Sequence, residues 1–445
     1  MKRIVMITAM LLAAAMTFVG CSKKDTGGAG RQSQGAGKIK VVFWHAMGGR
    51  VGEATIKLVD HFNASQDKIE VEHQYQGSYD EAITRLKVTP KGSGPDVMQL
   101  YDIGTRWAID SKTVLKMQNY INRDKYDISD YEPNIIAYYT IDRELYSMPF
   151  NCSSPVIVYN KEALAKTGLD PKKAFATMDD CRTTGKAMKA AGLEVGGSFT
   201  NYSWVFEQMV GIQDRDLLDN GNGRNARATK VVGDEALFNI FSKLNAIARE
   251  PSNKIFGKGT VESKNQFAAG NIGYIVDSCS AYSDISAAAE GKFSLGFAPV
   301  PKVNAGDTGG VSVGGGSLWL MDSGDNKRID AAWEFVKFAT SAQQQAQFSI
   351  DTGYLPVRRS SINLSFYQDY LRNKNPELIV AINALQSSKP SCAGSVMGVF
   401  PQARIIIENE AEAMMNNPTG VSARTVVNNI TSQINEAISL YNRMN

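Results

Sequence analysis

Strand and helix signals alternate through residues 39–101, and few architectures accommodate that order. Lys40–Trp44 is a short apolar run bounded by polar residues. A helix is expected over Gly52–Phe62, where Leu58 and Val59 fall four and three residues before Phe62 on one face. Ile69–Gln74 then alternates like a strand. Ser78 is placed to cap a helix that starts near Tyr79, and Gly94-Pro95-Asp96 turns the chain into a further strand, Val97–Tyr101. This β-α-β-α-β order predicts an open α/β sheet, in which ligands bind beyond the carboxyl ends of the strands. Asp102 follows the third strand directly. Alone, an aspartate there reads more readily as a helix cap or turn.

A second constraint is Ser147–Asn160 (SMPFNCSSPVIVYN). An extended segment ends at Pro149-Phe150-Asn151, and Cys152, Ser153 and Ser154 are small. Pro155 then biases Ser154 towards an extended conformation before the buried-type strand Val156–Tyr159. Small hydroxyls between two apolar runs suit a crossing between lobes beside a cleft, and equally a loop between two strands of one domain. Beyond it the α/β rhythm restarts. Helices are expected at Lys161–Lys166 and Asp179–Ala191, a surface turn at Asp219–Asn225, and a strand at Ile272–Val276 leading into Asp277, Ser278, Cys279 and Ser280. Val311–Met321 is a Gly-rich approach to a buried strand, and Asp351–Val357 is a turn presenting Tyr354. Pro401–Arg404 opens a helix, and Val427, Ile430, Ile434, Ile438 and Tyr441 mark a closing helix.

The first residues read as an export signal. Lys2 and Arg3 precede the apolar run Ile4–Ala15, and Phe18-Val19-Gly20-Cys21 reads as a lipobox that leaves Cys21 as a lipid-modified N-terminus. Phe18 stands where leucine is usual. Residues 21–38 are Gly-, Ser- and Lys-rich and read as a flexible tether after a signal peptide of residues 1–20. Charge is nearly balanced, with 48 Lys and Arg against 45 Asp and Glu, which argues against a nucleic-acid partner. Of five cysteines, Cys152, Cys181, Cys279 and Cys392 are widely spaced, so they read as unpaired buried residues, with one disulfide left open.

Catalytic patterns are missing from the sequence. Its three histidines, His45, His61 and His73, form no HExxH, and neither GxSxG nor a phosphate-cradling GK[ST] loop occurs. A secreted hydrolase would need a metal set or a nucleophile–base pair, and neither is found. An exported α/β chain with polar strand ends fits a binding protein better. FWHAM at Phe43, YQGSY at Tyr75, QLYDIGT at Gln99, PFNCSSPVIVYNKEAL at Pro149, GGGSLW at Gly314, TGYLP at Thr352 and PQARIIIENE at Pro401 run in order through almost the whole chain. By these strings the chain resembles the periplasmic solute-binding subunits of ABC importers, and within them the glycerophosphate-binding branch. The resemblance implies a ligand set of Tyr79, Asp102, Ser153, Ser278, Gly315, Tyr354 and Arg404, with Trp204 walling the cleft. Arg404 would offer a planar fork of donors to phosphate, and Gly315 a closely approaching backbone N–H. Asn201 stands where that branch carries a first tryptophan, which leaves room for a longer glycerophosphodiester or a sugar.

The expected fold is accordingly α/β, a two-lobe periplasmic binding protein of type II with open sheets flanked by helices and a ligand cleft between lobes. Residues 39–151 with 282–325 are expected in one lobe, and 152–281 with 326–445 in the other. The expected function is capture of sn-glycerol 3-phosphate or a glycerophosphodiester by cleft closure and delivery to a permease, with a sugar as the alternative ligand. The chain would act as a lipid-anchored monomer on the outer face of a membrane, without cofactor, metal or covalent chemistry. An adhesin or a ligand-sensing chemoreceptor subunit on the same fold is a third possibility.

Overall fold

The computed structural model describes residues 37–445. The signal peptide, Cys21 and nearly all of the tether lie outside the described residues. Strands β1 (Ile39–His45), β2 (Ile69–Tyr75) and β3 (Val97–Tyr101) form a parallel core, with helix α1 (Gly49–Ser65) between the first two and α2 (Tyr79–Val88) between the second pair. Leu58, Val59 and Phe62 of α1 are buried, as their spacing predicts. Ser78 caps α2 in a capping box, its hydroxyl accepting from Glu81 N–H while the Glu81 carboxylate accepts from Ser78 N–H.

The chain then crosses between two sheets. Strand β4 (Val114–Leu115) lies at an edge, and β5 (Met148–Ser153) pairs with β9 (Gly314–Met321) in the larger sheet, of order β2-β1-β3-β9-β4. Strand β6 (Pro155–Asn160) starts two residues after β5 ends, and it is the centre of a three-stranded sheet between β7 (Tyr274–Ser278) and β8 (Leu295–Pro299). Every residue of β5 and β6 is buried. Ser147–Asn160 is therefore a crossing between sheets, and Pro155, unable to donate, fits the first position of its strand.

The lobe limits differ from the expected ones in two places. Leu295–Pro299, expected with the first lobe, pairs antiparallel with β6 in the smaller sheet. Helix α3 (Asn326–Ala339), expected with the second, packs on the larger sheet, where Phe335 meets Phe43 and Arg328 pairs with buried Asp96 at 2.8 Å. Sheet membership depends on which edge is free, and a short apolar strand carries no mark of it. Asp219–Gly223 is a left-handed turn, with φ near +60° at Asn220, Gly221 and Asn222, and its Asn222 is buried rather than at the surface. After the Lys161–Ala165 helix, Asp170 caps a short one in which Pro171 takes the first helical position. All four cysteines beyond residue 21 are free and buried.

His45 ends β1 with its ring buried, Nδ1 accepting from Met47 N–H and Nε2 lying 3.4 Å from His73 Nδ1. Burial first, and His73 second, push its pKa down to about 4. The unfolded chain takes up that proton near pH 6.5. Stability from a neutral His45 is thus full above pH 6.5 and is lost as the pH falls towards 4, by ~2–3 kcal/mol. Urea midpoints at pH 7.5, 5.5 and 4 should fall more steeply for the natural chain than for His45→Asn, and equal slopes would contradict this account.

Candidate functional site

Tyr79, Asp102, Ser153, Trp204, Ser278, Gly315, Tyr354 and Arg404 all line one open cleft of about 490 Å³. They arrive from eight separate stretches of chain. Tyr79 opens α2, half-buried, with its ring stacked on Tyr101 at 5.1 Å. Asp102 follows β3 at the carboxyl end of a parallel strand, where an open α/β sheet places its ligands. Ser153 ends β5 opposite Gly314. Ser278 ends β7 and shares a hydrogen bond with the Ser280 hydroxyl at 2.8 Å. Tyr354 follows the left-handed cap Gly353, and the next residue, Leu355, donates to Cys152 O at 2.7 Å, fastening this segment to the crossing.

Gly315 has a backbone no side chain would share. Its φ is +112°, and a Cβ there would lie 1.9 Å from the Asn151 carbonyl oxygen. At neighbouring Gly314 a Cβ would lie 2.3 Å from Trp204 Nε1, so the glycines let the indole seat against the strand. Trp204 is buried in helix α4 (Ser203–Ile212), and its Nε1 finds no hydrogen-bond partner among the described residues.

Arg404, on helix α5 (Phe400–Asn416), is tied more tightly than the sequence suggests. Its Nε and Nη2 bind both oxygens of Glu207 at 2.8 and 2.9 Å, and Nη2 lies 3.5 Å from Asp102 Oδ2. The two-pronged edge expected to meet a phosphate is filled by Glu207, leaving Nη1 as the arm without such a protein partner. Burial disfavours the guanidinium charge, but Glu207 and Asp102 outweigh it and hold the pKa above its usual value. Burial raises the Asp102 carboxyl, with Arg404 opposing. Four residues along α5, Glu408 accepts from Ser203 N–H at 3.0 Å and so caps α4.

The sequence reading missed Glu207 and Tyr202. Glu207 is the one carboxylate in the apolar helix SWVFEQMVGI, three residues after Trp204, and that isolation was the available signal. Asn201 turns away from the cleft and donates to Glu408 O at 3.1 Å, while Tyr202 lines the wall beside Trp204, with ring centroids 5.8 Å apart. The aromatic wall that Asn201 leaves open is filled from the next residue. Asp277, Asp284 and Lys264 complete the charged lining. Asp277 is buried, accepts from Ser278 N–H through Oδ1, and faces Lys264 Nζ at 3.9 Å; burial raises its pKa.

No group of three or more His, Cys, Asp or Glu among the described residues could hold a metal ion, and no described helix is long and apolar enough to cross a membrane. Two sheets joined by strand crossings, with a polar, aromatic-walled cleft where the crossings meet, define a two-lobed ligand-binding protein of the periplasmic type. The chain belongs to the bacterial extracellular solute-binding protein family, whose profile matches residues 57–375. It is 26% identical over 384 residues to the sn-glycerol-3-phosphate-binding periplasmic protein UgpB of Yersinia pseudotuberculosis, covering 84% of this chain and 87% of that one. It is likewise 26% identical over 389 residues to UgpB of Escherichia coli O1:K1, with the same coverage. Among solved structures, UgpB of Mycobacterium tuberculosis in complex with glycerophosphocholine superposes with a TM-score of 0.74 at 23% identity, over 92% of this chain and 100% of that one. The GacH receptor of Streptomyces glaucescens, solved unliganded and with acarbose, gives 0.74 at 19%, over 90% and 99%. Members of this family serve ABC importers as exported solute-binding proteins and are not enzymes.

Proposed function

We propose that this chain captures a glycerophosphate compound, sn-glycerol 3-phosphate or a glycerophosphodiester, in the cleft and delivers it to the permease of an ABC importer. The observation that carries this reading is the convergence of Tyr79, Asp102, Ser153, Trp204, Ser278, Gly315, Tyr354 and Arg404 on one cavity from widely separated motifs. Hydroxyls of Tyr79, Ser153, Ser278 and Tyr354 donate without adding charge, Arg404 Nη1 supplies a fixed cation, and Asp102 accepts from glycerol hydroxyls. Ligand touching both lobes stabilises the closed form, which the permease then recognises. The chain acts as a monomer held to the membrane through a lipid on Cys21, a reading that rests on the sequence of its first 21 residues.

Charge decides between ligands of this class. Lys264 and Arg404 face Asp102, Asp277 and Asp284, and Glu207 neutralises Arg404 from behind. A phosphomonoester brings up to two negative charges into that lining, a diester one, and a sugar none. The diester is therefore favoured over the monoester, and the same lining is what supports a sugar as the second reading. Thermal unfolding of residues 37–445 with sn-glycerol 3-phosphate, glycerophosphocholine or maltose tests this. A ligand at a hundred times its Kd stabilises by about 2.7 kcal/mol, so a clear rise in Tm is expected with glycerophosphocholine. A rise with maltose alone would establish the sugar reading, and no rise with any of the three would reject both.

A further inference from the structure

A chain of buried amides leads from the first strand turn to Tyr79, and its sense is set by a backbone donor. Ala46 N–H can only donate, and it donates to Gln99 Oε1 at 2.9 Å. Gln99 must then present its NH2 to the other side, where Nε2 donates to Asn151 Oδ1 at 2.7 Å. That fixes Asn151 in turn, and its Nδ2 donates to the Tyr79 hydroxyl oxygen at 2.9 Å. Amide orientation is ordinarily ambiguous between O and N, and here one peptide N–H resolves all three links. Gln99 and Asn151 are fully buried and neither lines the cleft. Gly316 leaves the room, since a Cβ there would lie 2.8 Å from Asn151 Oδ1 and 3.2 Å from the Tyr79 oxygen.

We infer that Gln99 and Asn151 are positioning residues that occupy the Tyr79 oxygen as an acceptor and so commit its O–H to donate into the cleft. The ligand atom over Tyr79 is then an acceptor oxygen, as a phosphodiester oxygen, a sugar ring ether or a hydroxyl that gives its own proton elsewhere is. This rests on the functional reading above for the ligand and on the hydrogen bonds alone for the proton. The tyrosine ring does not need Asn151 to hold it, because it stacks on Tyr101, whose own hydroxyl donates to Asp80 at 2.8 Å. Asn151 thus sets the direction of a proton rather than the position of a ring. Burial pushes the Tyr79 pKa well above its usual value, so the proton is present at all relevant pH.

Gln99→Glu reverses the relay while the introduced carboxyl is ionised, so it is measured at pH 8.5, above the range into which burial lifts a carboxyl of ordinary strength. The carboxylate still accepts from Ala46 N–H, but its second oxygen now accepts from Asn151, which flips and turns its carbonyl to Tyr79. The phenol then donates inward and offers the cleft only a lone pair. Two readouts test this. The first needs no ligand. Nuclear Overhauser contacts between the Asn151 side-chain NH2 protons and the Tyr79 ring report which end of the amide faces the phenol. They are expected in the natural chain and should be lost in Gln99→Glu. Their absence from the natural chain would overturn the inference whatever the chain binds. The second is a double-mutant cycle with glycerophosphocholine. Gln99→Glu should weaken binding about tenfold, the worth of one such hydrogen bond, and should cost clearly less in the Tyr79→Phe background, where only the contact of Asn151 with Tyr354 remains. Equal losses in both backgrounds would overturn it. Should Gln99→Glu not fold, Gln99→Met frees Asn151 to turn either way, and a smaller loss, greater with Tyr79 present than with Tyr79→Phe, is expected. Failure of the natural chain to bind glycerophosphocholine would count against the ligand reading, and the Overhauser contacts would still decide the relay.

Discussion

Replacing Arg404 by methionine is expected to lower stability by ~3–5 kcal/mol and, on the function proposed above, to abolish ligand binding. The size follows from what is left behind. Glu207 and Asp102 share this one guanidinium, the first through two hydrogen bonds and the second at 3.5 Å, and the side chains of Asp102 and Arg404 are only 5% and 12% exposed. Removing the partner of a buried charge costs far more than the pair contributes when intact. The deficit should shrink as the pH is lowered, because burial already holds the Asp102 carboxyl above its ordinary value and neutralising it relieves the strain. Arg404→Met with Glu207→Met should recover part of the stability without restoring binding. Urea unfolding of the three chains at pH 7.5 and 5.5 checks this, and a single variant as stable as the natural chain would contradict the clasp.

Gly315→Ala is expected to cost ~3 kcal/mol or more, by combining an unfavourable backbone region with overpacking against a neighbouring strand. The added methyl at φ +112° meets the Asn151 carbonyl at 1.9 Å, and backbone cannot swing aside as a side chain can. The β5–β9 pairing would part beside Ser153, so the cleft opens at that wall. Gly324→Ala is the control. Its φ is +74°, but nothing lies within 4 Å of the new methyl, so only the backbone term of ~1 kcal/mol applies. Equal losses for the two substitutions in chemical denaturation would show that the close approach does not matter.

Where local chemistry determines a feature, the sequence expressed it. Val97–Tyr101, the Ser78 cap and the break at Ser154-Pro155 depend on residues adjacent in the chain, and each lies where expected. The eight cleft residues were legible through their order and motif strings, although no spacing rule places Tyr79 beside Tyr354. The misplaced lobe limits at Leu295–Pro299 and Asn326–Ala339 depend on long-range sheet pairing and packing, to which a short apolar strand or an amphipathic helix gives no clue. The clasp of Arg404 by Glu207 joins residues 197 apart, and an arginine reads alike whether its fork faces ligand or protein. Tyr202 was hidden by a one-residue shift, since Asn201 holds the position where an aromatic was sought.

Calorimetric titration of residues 37–445 with glycerophosphocholine at pH 7.5, repeated on Ser153→Val and Asp102→Asn, tests the central claim that this cleft holds a glycerophosphate compound. One ligand per chain is predicted, with affinity falling at least tenfold in each variant, as expected for the loss of a hydrogen bond to a charged or buried partner. Binding that both variants leave unchanged would place the ligand elsewhere, and the absence of heat from the natural chain would contradict the assignment itself.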